Sequence, residues 1–298
     1  MNLLSLSNIS KSYGKFQAIN SVSFSIPLQS IFGMLGPNGS GKTTTIRIIT
    51  NILVADSGEI LFNGEKLNGM HTSQMGYMPE ERGLYKKMKI LEHLIYLARL
   101  KGLSNNDAKT KVKLWMEKFS MEDWANKKVE ELSKGMQQKI QFIATVIHEP
   151  KLIILDEPFS GLDPINSNLI KDEILNLRNN GATIMFSTHR MEQAEEICEE
   201  IVLYNKGKII LNGSVRDAKH RFKKNEFQLS FEGNAPQLSD ARFPLIEKSE
   251  HTMRLKISAG ENSNQLLSEL LQQKIQITGF NEILPSLNEI FIEQVANN

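Results

Sequence analysis

From the N terminus to about residue 220, short aliphatic runs alternate with stretches in which apolar residues recur at three- and four-residue intervals. The runs suit strands and the periodic stretches suit helices, so their alternation predicts an α/β domain with a largely parallel sheet. "SIFGML" and "KLIILD" are the clearest buried strands, "ATIMFST" is a third, and "EIVLYNKGKIILNG" predicts a hairpin turning at residues 205–207. "MNLLSLSNISKSYG" lacks a basic head followed by a sustained apolar run, and reads as a strand entering a fold. "ILEHLIYLARLKG" and "NDAKTKVKLWMEKF" are helical in period and predict an insert over about residues 88–148. After "RFKKNEFQ" the composition turns charged and polar, and leads into "FQLSF", "MRLKIS", the helix "NQLLSELLQQ", "IQITGF" and a last helix "PSLNEIFIEQVA". The expected division is therefore a first domain over residues 1–221 and a small α+β domain over 222–298.

Composition narrows the partners. The 298 residues suffice for one large core or two modest ones. With 35 Lys and Arg against 34 Asp and Glu the net charge is +1, so no global field draws the chain to nucleic acid or anionic lipid. The single cysteine, Cys198, excludes an internal disulfide and reads as inert core packing in a reducing compartment. No apolar run approaches the roughly 18 residues that a spanning helix needs, so the chain is not expected to cross a membrane by itself.

The chemistry lies in two stretches. "GPNGSGKTT", residues 36–44, fits the phosphate-loop pattern G-x-x-x-x-G-K-[ST] between a predicted strand and a predicted helix. Gly36, Pro37, Asn38, Gly39, Ser40 and Gly41 supply a tight turn whose N–H groups converge, and the helix start adds partial positive charge at the same point. Lys42 should reach the β- and γ-phosphates, Thr43 should offer its hydroxyl to Mg²⁺, and Thr44 completes the helix start. "LIILDEP" ends a buried strand on two acids beside that cradle: Asp156 as the Mg²⁺ partner and Glu157 as the base that orients and polarises the attacking water.

With these motifs in order, the chain resembles the ATP-binding subunits of ABC transporters over nearly all of residues 1–220. The resemblance implies a P-loop ABC ATPase domain, with a mixed-sheet core plus a helical subdomain, followed by the small α+β domain. "LSKGMQQK", residues 132–139, takes the place of the signature, commonly LSGGQ, which in that family binds the γ-phosphate of ATP held by another subunit. Ser133 and Gly135 keep their positions, while Lys134 and Met136 replace a glycine and the glutamine. Gln137 or Gln138 could replace the missing amide, or both could lie on a solvated helix face. Tyr13 matches the aromatic that stacks on adenine, "SGLD" with Asp163 matches the loop that spans the dimer interface, and His189 matches the switch histidine that hydrogen-bonds the γ-phosphate. Glu80 stands where the family usually has a glutamine that senses Mg²⁺ and water; a carboxylate can still ligate the ion. Its neighbours Glu81 and Arg82 could pair with each other or with the insert. Leu84, Tyr85, Met88 and Ile90 are candidate contacts for a helix of a membrane-spanning subunit, or plain core.

The resemblance extends to ATPases of ABC-2-type exporters, some of which expel sodium or peptides, and the tail resembles a βαβ-type accessory domain found in some of them. It implies ATP and Mg²⁺ as cofactors and a head-to-tail dimer with a second copy or a homologous ATPase. It further implies an integral membrane permease as partner, no nucleic acid, and a peripheral place on the cytoplasmic face of the membrane. The alternative class is an ABC ATPase acting on ribosomes, DNA repair or iron-sulfur assembly. Translation factors of that kind usually carry two cassettes, whereas one cradle is present here, and the tail has no basic, aromatic-rich stripe.

Overall fold

The structure is a computed structural model that describes residues 1–81, 83–238 and 241–296. Its first compact unit comprises residues 1–215. The unit opens with β1 (Asn2–Tyr13), β2 (Phe16–Pro27) and β3 (Ile31–Leu35), then α1 (Lys42–Ile49), β4 (Ser57–Phe62), β5 (Glu65–Lys66) and β6 (Met75–Met78). The helical insert follows as α2 (Ile90–Leu100), α3 (Asn105–Lys118) and α4 (Lys134–Val146). Then come β7 (Leu152–Asp156), α5 (Pro164–Asn179), β8 (Thr183–Thr188), α6 (Met191–Ile197), β9 (Glu200–Asn205) and β10 (Lys208–Ser214).

Two sheets share this unit. One runs β10-β9-β3-β8-β7-β6, parallel throughout except for the β9–β10 hairpin. Every residue of β3, β7 and β8 is buried, as expected of parallel strands covered on both faces. The other runs β2-β1-β4-β5 and is antiparallel. The expected largely parallel sheet thus accounts for β3 and β6 to β9, while β1, β2, β4 and β5 form a separate layer. The reason is covalent: β1 and β2 are joined through Gly14 and Lys15, and a turn of two residues can only connect antiparallel neighbours. One core joins the layers, with Leu4, Phe24 and Phe62 packed together with Phe32, Ile154 and Tyr204. The Phe24 and Phe32 rings stack at 5.3 Å across it. Cys198 lies in the buried interior, where burial pushes its thiol up, and a Cβ on Gly33 would stand 2.9 Å from its sulfur. It packs; it does not react.

The second unit comprises residues 216–298, so the division falls after Val215 and not at residue 221. The first residue of α7 (Val215–Arg221) belongs to the first unit, its N–H donating to the Glu199 carbonyl at 3.0 Å. The unit continues with β11 (Glu226–Glu232), β12 (Leu245–Lys248), β13 (Thr252–Lys256), α8 (Ser263–Gln272), β14 (Gln276–Ile283) and α9 (Leu287–Ala296). Its sheet has the order β12-β13-β11-β14 with antiparallel neighbours. Because β13 and β14 both run against β11, they are parallel to each other, and β13–α8–β14 is a βαβ unit split by one strand. Leu266 and Leu270, one turn apart on α8, bury against Leu229, Phe231 and Leu255. Among the described residues no helix is long and apolar enough to cross a membrane.

Candidate functional site: a phosphate-loop cleft and an exposed helix start

The cradle is built where β3 turns into α1. Gly36 and Gly41 have φ of +144° and +113°, backbone conformations that side chains oppose. Space forbids a side chain as well: a Cβ would stand 2.4 Å from the Tyr204 carbonyl at Gly36 and 2.8 Å from the Ala18 carbonyl at Gly41. The loop is thus wedged between the ends of β9 and β2, and the Gly207 N–H pins it by donating to the Ser40 carbonyl at 2.9 Å. Inside it Lys42 is only 7% exposed, its ammonium donating to the carbonyls of Gly36 at 2.6 Å and Pro37 at 3.1 Å. Burial lowers the Lys42 pKa, against the charges of Glu157, Asp156 and Glu80, which raise it. Among the described residues no side chain caps α1, so its first-turn N–H groups keep the donor capacity that makes a helix start an anion site.

Opposite the cradle, β7 delivers two carboxylates with different environments. Asp156 is buried, and its carboxyl is pushed up to about 6, chiefly by burial and then by the charges of Glu157 and Glu80. Glu157 has φ +50°, a left-handed conformation for a non-glycine residue and a sign of local strain held in place by its surroundings. Three groups hold its side chain. Thr188 Oγ1 donates to one oxygen at 3.0 Å, while the other meets the His189 backbone N–H at 2.8 Å and its ring Nδ1 at 2.6 Å. The Glu157 N–H itself donates to the Ser187 carbonyl at 2.9 Å. His189 therefore orients the acid in this conformation, and Thr188, which the sequence did not single out, shares that task.

Most of the expected residues converge. Tyr13, Asn38, Gly39, Gly41, Lys42, Thr43, Thr44, Glu80, Asp156 and Glu157 line one cleft, together with Phe16 and Ala18. Gly36, Pro37 and Ser40 form the turn beneath it. Phe16 is directly opposite Tyr13 in the β1–β2 register, so the two exposed rings share one face at the cleft mouth. The donors also suit a magnesium ion. A hydroxyl on Thr43 and carboxylates on Asp156 and Glu80 are the few hard oxygens that Mg²⁺ takes from protein when phosphates and water complete its shell.

Ser133, Gly135 and Asp163 are absent from that lining. Ser133 is exposed and N-caps α4, accepting from the Met136 N–H at 3.3 Å. Asp163 N-caps α5, accepting from the Asn166 N–H at 3.0 Å, and its carboxyl is held low by the Asn166 hydrogen bonds. The starts of both helices are close: a Cβ on Gly135 would lie 3.5 Å from Leu162 Cδ2, in the SGLD loop. Gln138 is not on a solvated face: it is buried and donates to the Pro158 carbonyl at 2.9 Å, while Gln137 is half-buried and its Nε2 donates to the Leu132 carbonyl at 3.0 Å.

Beside Glu80 a cavity of about 420 Å³ opens between β6 and the insert, lined by Tyr77, Pro79, Leu84, Leu97, Lys101 and His148 among others. Of the candidate contacts, Leu84 lines it, and Tyr85 is exposed with its ring edge against His93 and Tyr96. Ile90 is fully buried at the start of α2 and is core, because the helix turns that position inward. Arg82, and with it the pairing considered for Glu81, lies outside the described residues. His148, lowered to about 4 by burial and by Lys101, is a neutral ring against the Met75 carbonyl at 3.1 Å.

Comparison with known proteins agrees with this geometry. Residues 19–160 match the ABC transporter family, and residues 213–295 match the C-terminal domain of ATP-binding proteins like DrrA1-3. The ABC transporter ATP-binding protein YhaQ of Bacillus subtilis is 42% identical over 295 residues, covering 99% of both chains. The linearmycin resistance ATP-binding protein LnrL of the same organism is 30% identical over 97% of both. The structure of an ATP-binding subunit of an ABC transporter superposes with a TM-score of 0.69 at 30% identity, over 74% of this chain and 93% of the other. The chain belongs to the ATP-binding subunits of ABC transporters.

Proposed function

We propose that the protein is the motor of an exporter. Two copies, or one copy and a homologous ATPase, close head to tail so that each nucleotide lies between the Lys42 cradle of one protomer and Ser133 and Gly135 of the other. The observation that carries this reading is the split geometry. The cradle and both acids share one cleft, while Ser133, the exposed cap of α4, is absent from its lining. A helix start with an exposed hydroxyl and a glycine amide suits a phosphate that a facing protomer brings.

Within that pocket the phosphate loop and Lys42 bind the triphosphate, Tyr13 stacks on the base, and Thr43, Asp156 and Glu80 hold Mg²⁺. The ion, when bound, neutralises charge developing on the phosphates. Glu157, fixed by His189 and Thr188, orients the attacking water and takes its proton. Asp163 and the SGLD loop lie at the seam between protomers. Hydrolysis releases the closed pair, and the opening and closing moves a separate membrane permease whose cytoplasmic helix sits in the cavity beside Glu80, on the inner face of the membrane. Similarity to a resistance ATPase over nearly the whole chain, tail included, supports export over uptake. Purification of the chain from membranes tests the assignment. An integral membrane subunit should accompany it; stable association with ribosomes and none with membranes would overturn it.

A further inference from the structure

Helix α4 carries two glutamines that the scheme above does not use. Gln138 is 3% exposed and Gln141 4%. Amides are seldom that buried without a task. Three residues apart on one helix, they lie on the same face. Gln138 Nε2 donates to the Pro158 carbonyl at 2.9 Å, and Gln141 Nε2 donates to the Pro79 carbonyl at 2.7 Å. Pro158 directly follows Glu157, and Pro79 directly precedes Glu80.

The covalent geometry turns each bond into a hold on an acid. The Pro79 carbonyl and the Glu80 Cα belong to one planar peptide unit, so fixing the oxygen fixes the plane from which Glu80 departs. Between the Pro158 carbonyl and the Glu157 Cα, the peptide bond is rigid and the proline ring locks φ, which leaves the ψ angles on either side of that peptide as the soft links. Glu157 already needs outside support, because its φ of +50° is strained. The same helix begins at Ser133. At a rise of about 1.5 Å per residue, both amides act within roughly 12 Å of that end along a stiff rod.

We propose that Gln138 and Gln141 are positioning residues that seat Glu157 and Glu80, so that the helix meeting the partner's nucleotide also sets the acids of its own pocket. This rests on the composite-pocket reading above. Gln138→Met and Gln141→Met in the full chain keep length and volume but remove the donor. Each should lower kcat about tenfold, since misplacement of catalytic groups by a fraction of an ångström carries costs of that order. ATP affinity and KM should stay within about twofold, because the cradle is untouched. A merely structural role would lower thermal stability, or move KM and nucleotide affinity with kcat. Unchanged kcat, or a loss carried by KM, overturns the proposal. If a methionine variant does not fold, Gln138→Glu and Gln141→Glu, which keep the shape and set a carboxylate against the carbonyl, should give the same split. The parent reading fails separately: if Glu157→Gln leaves turnover intact, the motor assignment is wrong. If Glu157→Gln stops turnover while the glutamine variants do not slow it, only the positioning role falls.

Discussion

Two helix starts in this protein invite the same ligand and are equipped differently. At α1 the glycine loop is wedged between neighbouring backbone carbonyls, Lys42 is buried, and two acids from β7 line the same cleft. At α4 the helix caps itself with Ser133, Lys134 beside it is exposed, and neither Ser133 nor Gly135 lines the cleft that holds the acids. The first is preorganised for a triphosphate and the second has only an anion-friendly helix start. In the proposed head-to-tail pair the catalytic groups would be complete within one chain while the phosphate contacts would not, so turnover would report whether two chains have met.

The largest effect should come from removing the base on the complete side. Glu157→Gln should cut ATP turnover by about 10²–10⁴-fold, the range for a lost general base, while preserving ATP binding. Light scattering with ATP should find a trapped dimer; a monomer at saturating ATP would count against the shared pocket. On the incomplete side, Ser133→Arg should lower turnover by about a hundredfold, the size of losing a donor to a reacting oxygen, with binding to the monomer unchanged. Equal losses of binding and turnover would mean that Ser133 serves its own chain.

Smaller effects sharpen the contrast. Gly41→Ala forces a Cβ within 2.8 Å of the Ala18 carbonyl at positive φ, and should cost about 1–3 kcal/mol of stability together with nucleotide affinity. Calorimetry and nucleotide titration check both. Because the Asp156 carboxyl is raised to about 6, its ionised form is lost as pH falls through that value. At limiting Mg²⁺ the rate should therefore decline on the acid side as the carboxylate is protonated, saturating Mg²⁺ should move that limb to lower pH because the ion holds the carboxylate ionised, and Asp156→Asn should abolish the limb along with most activity. The smallest change belongs to the rings at the cleft mouth: Tyr13→Ala and Phe16→Ala should each raise KM for ATP by about three- to tenfold, the worth of one aromatic contact.

The cradle was readable from the sequence because its chemistry is contiguous: glycines, lysine and threonine in one loop between a strand and a helix. The buried strands and the βαβ pattern of the tail were readable for a similar reason, since each is a local period. What escaped depends on distance along the chain. The antiparallel layer needs pairing between β1 and β4, some fifty residues apart. The grip of Thr188 and His189 on Glu157 spans more than thirty. Phe16 could have been found, since a two-residue turn after Tyr13 places it opposite; the register was the missing step. Gln138 looked solvated because an amide does not announce which carbonyl it will meet. Ile90 looked available for a partner because an apolar stripe has the same period whether it faces a partner or the core. The composition shift placed the domain boundary late, since the polar sequence of α7 gives no sign of which unit it joins.

Mixing two inactive variants tests the shared pocket. Lys42→Ala destroys the cradle and Ser133→Arg the signature helix, and each alone should be inert. If pockets are shared, a mixed dimer pairs the intact cradle of one protomer with the intact Ser133 helix of the other. Random pairing then restores about one quarter of the wild-type sites in a symmetric dimer. Recovery of ATP hydrolysis on mixing is the expected result. A mixture as inactive as its components would contradict the shared pocket.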